Sequence, residues 1–175
     1  MNHDDVSLGE QVGALLPRLR RFACALTRHP QDADDLVQLA VERALRHQEQ
    51  WRPGSNLLDW MLGIVHNAFI DETRSRKRRE AALVREEASV EVGNDGTNRD
   101  IELWALQSAL DRLPSDQRLA VALVLVEGLS YREAAEVTNV PVGTLTSRLA
   151  RGRSALQSIL QEMDAQPHAM SGSRP

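Results

Sequence analysis

Residues 128–153, GLSYREAAEVTNVPVGTLTSRLARGR, leave this chain little choice of local structure. Ser130 followed by Glu133 is a capping box, in which each residue satisfies a backbone N–H of the other, so a helix is predicted to start at Tyr131. Ala134, Ala135 and Val137 give that helix a small apolar face that a second helix can approach closely. Thr138-Asn139-Val140 interrupts it, and asparagine is one of the few non-glycine residues that tolerate a positive φ. Pro141 suits the first turn of the following helix, where its missing N–H has no partner to lose. In that second helix Leu145, Leu149, Leu156 and Ile159 recur at helical spacing and bury one side. The other side carries Thr144, Thr146, Ser147, Arg148, Arg151 and Arg153. Hydroxyl and guanidinium groups on the outer face of such a second helix suit the reading of a DNA major groove. An arginine-rich face is also what an ordinary solvated helix shows, so the pattern alone leaves both readings open.

The residues themselves narrow the choice. The stretch closely resembles the last helix-turn-helix of bacterial RNA polymerase sigma factors of the extracytoplasmic-function (ECF) group, in which G-x-S-Y-x-E-A/I-A, a short turn, P-x-G-T-V/L and S-R-L-x-R-x-R follow one another. That resemblance implies recognition of a −35 promoter element by the second helix. Thr146, Ser147, Ala150 and Arg151 stand at positions that reach bases in the family, with Arg148 and Arg153 placed for phosphates and with Arg132 and Thr144 on the same surface. Thr146 occupies a position where the family often has Lys or Arg.

Composition sets the limits of the rest. The chain has 175 residues, enough for one domain or two small ones, and its apolar content of 42% with 3% aromatics and few Gly and Pro points to helices. No apolar run is long enough to span a membrane, and the polar, acidic start MNHDDVSLGEQ does not read as a signal peptide. Cys24 is the single cysteine, which excludes an internal disulfide and fits a reducing cytoplasm. The histidines show no metal-ligand spacing, and neither a nucleophile–base pair nor a nucleotide loop stands out, so no catalysis and no cofactor are expected. A net charge of −4 would by itself argue against nucleic acid, but the charges are segregated along the chain.

Residues 1 to about 10 read as disordered. Val12, Leu15, Leu16, Leu19, Phe22, Ala23 and Leu26 then follow helical spacing, with Arg18, Arg20, Arg21 and Arg28 on the wet side and Pro17 as a kink or a start. His29-Pro30 separates this helix from the next, whose first turn holds Asp32, Asp34 and Asp35, where the macrodipole favours negative charge. Ala33, Leu36, Val37, Ala40 and Ala44 are predicted to face inward, and Asp35, Gln38, Leu39 and Glu42 outward. The run DADDLVQLAVERAL resembles the polymerase-binding helix of the first sigma domain. That resemblance implies that Asp35, Gln38, Leu39 and Glu42 contact the β′ clamp helices of core polymerase, Leu39 standing where an acidic residue is usual.

Trp51 to Asn56 form a loop by their turn chemistry, and Asn56 caps a long helix. The first half of that helix (Leu57, Leu58, Met61, Leu62, Ile64, Val65, Ala68, Phe69) is apolar nearly all round and is the predicted centre of a first domain. In the second half Asn67, Asp71, Arg74 and Arg78 fall on one stripe, and five of the six residues 74–79 are basic. LLDWMLGIVHNAFIDETR resembles the segment of ECF sigma factors that reads and opens the −10 element. Opening DNA without ATP requires binding energy for bases that have left the stack, which a base-holding loop and a basic rim can supply. The 51–56 loop, with Arg52, Ser55 and Asn56, is therefore assigned to base capture. Asn67, Asp71, Arg74, Arg76, Lys77 and Arg78 are assigned to the separated strand. Trp51 and Trp60 read as core residues.

Residues 81–99 lose periodicity and turn acidic, as a flexible linker would. A second domain is predicted over 100–163, with Leu103, Leu106, Leu110 and Leu113 on one stripe and Pro114 ending the helix. Ser115 is expected to cap the next helix, and its run LAVALVLV to be buried up to Gly128. Residues 164–175 read as a disordered tail. The expectation is thus an all-α chain: a sigma domain 2 over 10–80, a linker, and a sigma domain 4. Its implied partners are core RNA polymerase through the β′ clamp helices and the β subunit, promoter DNA, and an anti-sigma protein. The alternatives are a self-sufficient dimeric helix-turn-helix regulator and a sigma-like decoy that binds only a regulatory protein.

Overall fold

A computed structural model describes residues 7–27, 29–52, 54–82 and 98–164, without the side chains of Lys77, 80–82, 98–104 and Asp164. Among the described residues every regular element is helical: α1 (Leu8–Leu26), α2 (Pro30–Arg46), a 3-10 turn (Gln48–Gln50), α3 (Leu57–Ala82), α4 (Asn98–Asp111), α5 (Ser115–Val121) running into a π-turn (Ala122–Val126), α6 (Tyr131–Thr138) and α7 (Val142–Asp164).

Helices α1, α2 and α3 form the first packed unit. Its centre is Phe22, Leu19, Leu26, Met61, Leu62 and Val65, all fully buried, and Ala33, Leu36, Val37, Ala40 and Ala44 close it from α2. Alanine on the inner face of α2 lets α1 and α3 come close from both sides, because the distance between helix axes follows the side chains at the contact. The second unit packs α5 and α4 on α7, with α6 across them, around Leu110, Leu113, Leu119, Leu123, Leu145 and Leu149. Gly152 makes the α5–α7 crossing possible: a Cβ placed there would lie 2.9 Å from Val121 Cγ2 and 3.1 Å from the Gln117 carbonyl oxygen.

The structure departs from the sequence reading at several points. Disorder up to about residue 10 was expected, but α1 already begins at Leu8. Ser7 caps it, its Oγ accepting from the Glu10 N–H at 3.3 Å while the Glu10 carboxylate accepts from the Ser7 N–H at 3.0 Å. Of the two readings of Pro17, a kink or a start, its position inside α1 excludes the start. Pro17 deprives the Gly13 carbonyl of its helical donor, and both residues are exposed, so water can take the place of that donor. Ser115 caps nothing; the N-cap position of α5 is Pro114, and no side-chain cap bond is made there. The run LAVALVLV is buried only in part, since Leu125 is 49% exposed, and Leu106 leaves the predicted α4 stripe at 39% exposed. Arg18, placed on the wet side of α1, reaches into the second unit. Residues 81–82 and 98–99 of the predicted linker are helical, while 83–97, like 1–6 and 165–175, lie outside the described residues.

Candidate nucleic-acid and polymerase interface

The helix-turn-helix is built by local chemistry. Ser130 Oγ accepts from the Glu133 N–H at 3.3 Å, and the Glu133 carboxylate accepts from the Ser130 N–H at 2.7 Å, completing the predicted capping box. These hydrogen bonds to Ser130 hold the Glu133 carboxyl below the usual carboxylate range. Asn139 takes the left-handed conformation at φ 52 and ψ 47, which ends α6 and turns the chain. Pro141 sits just before α7, and its carbonyl accepts from the Leu145 N–H at 3.1 Å. Leu145 and Leu149 are buried, and Thr146, Ser147, Ala150, Arg151 and Arg153 are exposed on the other side. The Thr146 hydroxyl donates to the Val142 carbonyl at 2.8 Å and the Ser147 hydroxyl to the Thr144 carbonyl at 2.9 Å. Each oxygen so aimed keeps its acceptor capacity outward. Arg151 Nε donates to the Ser147 carbonyl at 3.2 Å. Thr144 and Arg148 are half-buried, and Arg148 Nε is paired with Asp116 of α5 at 3.2 Å. Arg132 is exposed on α6 and lines a shallow groove of about 460 Å³ with Ala135, Glu136, Asn139, Val140, Pro141 and Val142.

On the first unit, Asp35, Gln38 and Glu42 stand exposed along α2, with the Gln38 amide donating to Glu42 at 3.1 Å. Leu39 is half-buried and packs on the core, so only part of it is presented outward. Leu45 is 46% exposed and lies seven residues after Gln38 and three after Glu42, so it extends the same face. Sequence reading passed over it, although that spacing was visible.

The 51–56 loop is held by its own backbone. Ser55 donates to the Arg52 carbonyl through both N–H and hydroxyl, at 3.0 and 2.7 Å. Gly54 has a φ of +87, and Asn56 Oδ1 accepts from the Leu58 N–H at 3.1 Å, the predicted cap of α3. Arg52, Ser55 and Asn56 are exposed. Trp51 is half-buried, and its indole nitrogen has no hydrogen-bond partner among the described residues. Trp60 packs on the core. Along α3, Asn67, Asp71, Arg74, Arg76 and Arg78 are exposed, and Asp71 is tied to Arg43 of α2 at 2.9 Å. The Lys77 side chain lies outside the described part.

The two units touch, their buried apolar residues belong to one cluster, and several polar contacts join them as well. Glu127, whose side chain is 0% exposed, accepts from Arg18 Nε at 3.1 Å and Arg21 Nε at 3.2 Å, while Arg18 Nη2 donates to the Glu127 carbonyl at 2.8 Å. The carbonyls that end α1 are satisfied from the second unit: Cys24 and Thr27 by the Gln107 amide at 2.7 and 3.1 Å, and Leu26 by Arg118 at 3.1 Å. Arg118 also bridges to Asp111 at 3.1 Å. On another side α3 meets α6. His66 reaches the Val137 backbone there, and its burial, the larger effect, lowers the imidazole pKa. Burial, and then the nearby Glu133 carboxylate, raise the pKa of Asp59. Glu127 was not singled out from sequence, yet it lies four residues after Leu123 and eight after Leu119, on the buried stripe. Burial likewise raises the Cys24 thiol, which makes it a poor thiolate source. Among the described residues no group of His, Cys, Asp and Glu could hold a metal ion, and no helix is long and apolar enough to cross a membrane.

With this geometry in hand, comparison with known proteins is specific. Residues 12–79 match the family Sigma-70 region 2, and residues 103–156 match Sigma-70, region 4. The ECF RNA polymerase sigma factor EcfG of Rhodopseudomonas palustris is 38% identical over 88% of this chain and 85% of its own length. The ECF RNA polymerase sigma factor SigE of Mycolicibacterium smegmatis is 36% identical over 88% of this chain, which spans 62% of that protein. Among solved structures, the sigma factor RpoE in complex with the anti-sigma factor NepR from Bartonella quintana superposes with a TM-score of 0.73 at 32% identity. It covers 87% of this chain and 95% of that one.

Proposed function

This chain belongs to the ECF RNA polymerase sigma factors, and we propose that its two units divide promoter recognition between them. As an ECF sigma factor it directs core RNA polymerase to specific promoters and starts transcription. Sigma factors are initiation factors, and in our reading this one works in the cytoplasm, contributes no catalysis of its own and leaves the chemistry to polymerase. In the division we propose, the first unit holds core polymerase through Asp35, Gln38, Leu39 and Glu42. It then captures and separates the −10 element with the 51–56 loop and the basic second half of α3. The second unit reads the −35 element through α7.

The observation that carries this division is the two-sidedness of α7. Leu145 and Leu149 are buried, while Thr146, Ser147, Ala150 and Arg151 stand together on the open side. In a helix-turn-helix the second helix enters the major groove and offers such side chains to base edges. Arg151→Ala is expected to cost about 1–3 kcal/mol at a matched −35 element, the range of one good base contact. Arg148→Ala is expected to weaken binding to all sequences alike. Binding of the holoenzyme across single-base −35 variants checks both, and an Arg151→Ala effect independent of sequence would remove that residue from the base readers.

Control by an anti-sigma protein belongs to the same proposal. The similar RpoE was solved with an anti-sigma factor. No metal cluster appears among the described residues, and Cys24 is the chain's only cysteine, so the inducing signal is sensed by a partner in this reading.

A further inference from the structure

We propose that Asp116 is a positioning residue for DNA binding, which holds the Arg148 guanidinium in place on α7, ready for a phosphate. The inference rests on the reading of Arg148 as a phosphate contact and adds what keeps that contact in register.

Both oxygens of the Asp116 carboxylate are engaged. Oδ1 accepts from the Gln117 N–H at 3.0 Å, and Oδ2 lies 3.2 Å from Arg148 Nε. No side-chain cap bond is made at Pro114, so Asp116 is the group that brings negative charge to the first turn of α5, where the helix dipole favours it. The carboxylate is therefore fixed from its own helix before it meets α7.

The crossing of α5 and α7 sets the distance between the pair. Gln117, next to Asp116, meets α7 at Gly152, where an added Cβ would lie 3.1 Å from the Gln117 carbonyl oxygen. Arg148 stands one turn before Gly152, on the same side of α7. Charge and distance make its contact with Asp116 an ion pair, and its terminal nitrogens make no hydrogen bond among the described residues. Those N–H groups are the fork that a phosphate accepts from.

Stability does not account for the pair. Its side chains are 28% and 45% exposed, and ion pairs so open to water contribute little. Nor does overall charge, since a carboxylate beside a DNA-facing helix repels phosphates. Positioning does account for it: a free arginine gives up rotamer freedom on binding, whereas a held one has already given it up.

The test is promoter binding by reconstituted holoenzyme across a salt series, for wild type, Arg148→Ala, Asp116→Asn and the double variant. R148A is expected to weaken binding to all sequences and to lower the salt slope by about one. D116N removes a negative charge from the DNA side, yet it is expected to weaken binding on the order of two- to tenfold, because Arg148 is released. In the R148A background the same change should leave binding unchanged or tighten it, since only repulsion remains to be removed. A merely structural role for Asp116 would weaken binding equally in both backgrounds. That result, or tighter binding by D116N alone, would overturn the positioning while Arg148 stayed a phosphate contact. R148A with unchanged affinity and salt slope would overturn the phosphate reading and the positioning with it.

Discussion

Gly152→Val is expected to unfold the helix-turn-helix unit, and with it −35 recognition, although the residue faces no DNA. Glycine within a helix ordinarily costs roughly 1 kcal/mol relative to alanine, so its presence in the middle of α7 needs a reason. The reason is the crossing with α5. Even the Cβ of alanine would meet Val121 Cγ2 at 2.9 Å, and the Gln117 carbonyl oxygen at 3.1 Å belongs to the backbone and cannot rotate away. For alanine the overpacking cost of about 1–3 kcal/mol is partly offset by helix propensity. Valine adds two more methyl groups at the same point and forces α5 and α7 apart, for a loss of more than about 3 kcal/mol. Gly143→Ala is the control in the same helix, since nothing lies within 4 Å of its added Cβ. Thermal unfolding followed by circular dichroism should show G143A at or above the wild-type midpoint and G152V far below it. A near-wild-type midpoint for G152V would mean that the α5–α7 crossing is looser than described.

Arg118→Ala should be nearly as damaging. The guanidinium is buried, pairs with Asp111 at 3.1 Å, and donates to the carbonyls of Leu26 and Leu113 at 3.1 and 3.3 Å. Those carbonyls lie at or just beyond helix C-termini, where no further turn of helix can satisfy them. Truncation therefore leaves a poorly solvated carboxylate and two orphaned acceptors, a combination expected to cost about 3 kcal/mol. That corresponds to a fall in midpoint on the order of 10 °C. Arg112 provides the contrast: its pair with Glu162 is exposed on both sides, and its removal should change stability by less than about 1 kcal/mol. Equal effects of R112A and R118A in denaturant titrations would contradict this ranking.

What could be read from the sequence was local. The Ser130–Glu133 box, the left-handed Asn139, the cap at Asn56 and the alanine face of α2 each depend on residues within one or two helical turns, and each is present as expected. The resemblance to the ECF group carried the roles assigned to surface residues, because a solvated arginine and a phosphate-binding one look alike in a sequence. Contacts between the units were not legible. Glu127 and Arg18 are 109 residues apart, and although helical spacing puts Glu127 on the buried stripe, nothing local names its partner. Leu106 and Leu125 misled for the opposite reason: an apolar residue at the right period was counted as core, and the surface of a small helical unit has room for several that are not.

The central claim is that this chain gives promoter specificity to core polymerase rather than acting on DNA by itself. One helix-turn-helix with a few base contacts falls short of the roughly 1,000–2,500 Å² that tight specific DNA binding usually buries. The net charge of −4 also opposes approach to a polyanion. Core polymerase, by fixing both units at a set spacing, makes the second DNA contact intramolecular. The direct measurement is a gel-shift titration of a cognate promoter fragment with and without core enzyme, at stated salt because phosphate contacts depend on it. Weak binding by the protein alone and a tight, sequence-specific complex with core enzyme is the predicted result; nanomolar, operator-like binding by the protein alone would contradict it and favour a self-sufficient dimeric regulator.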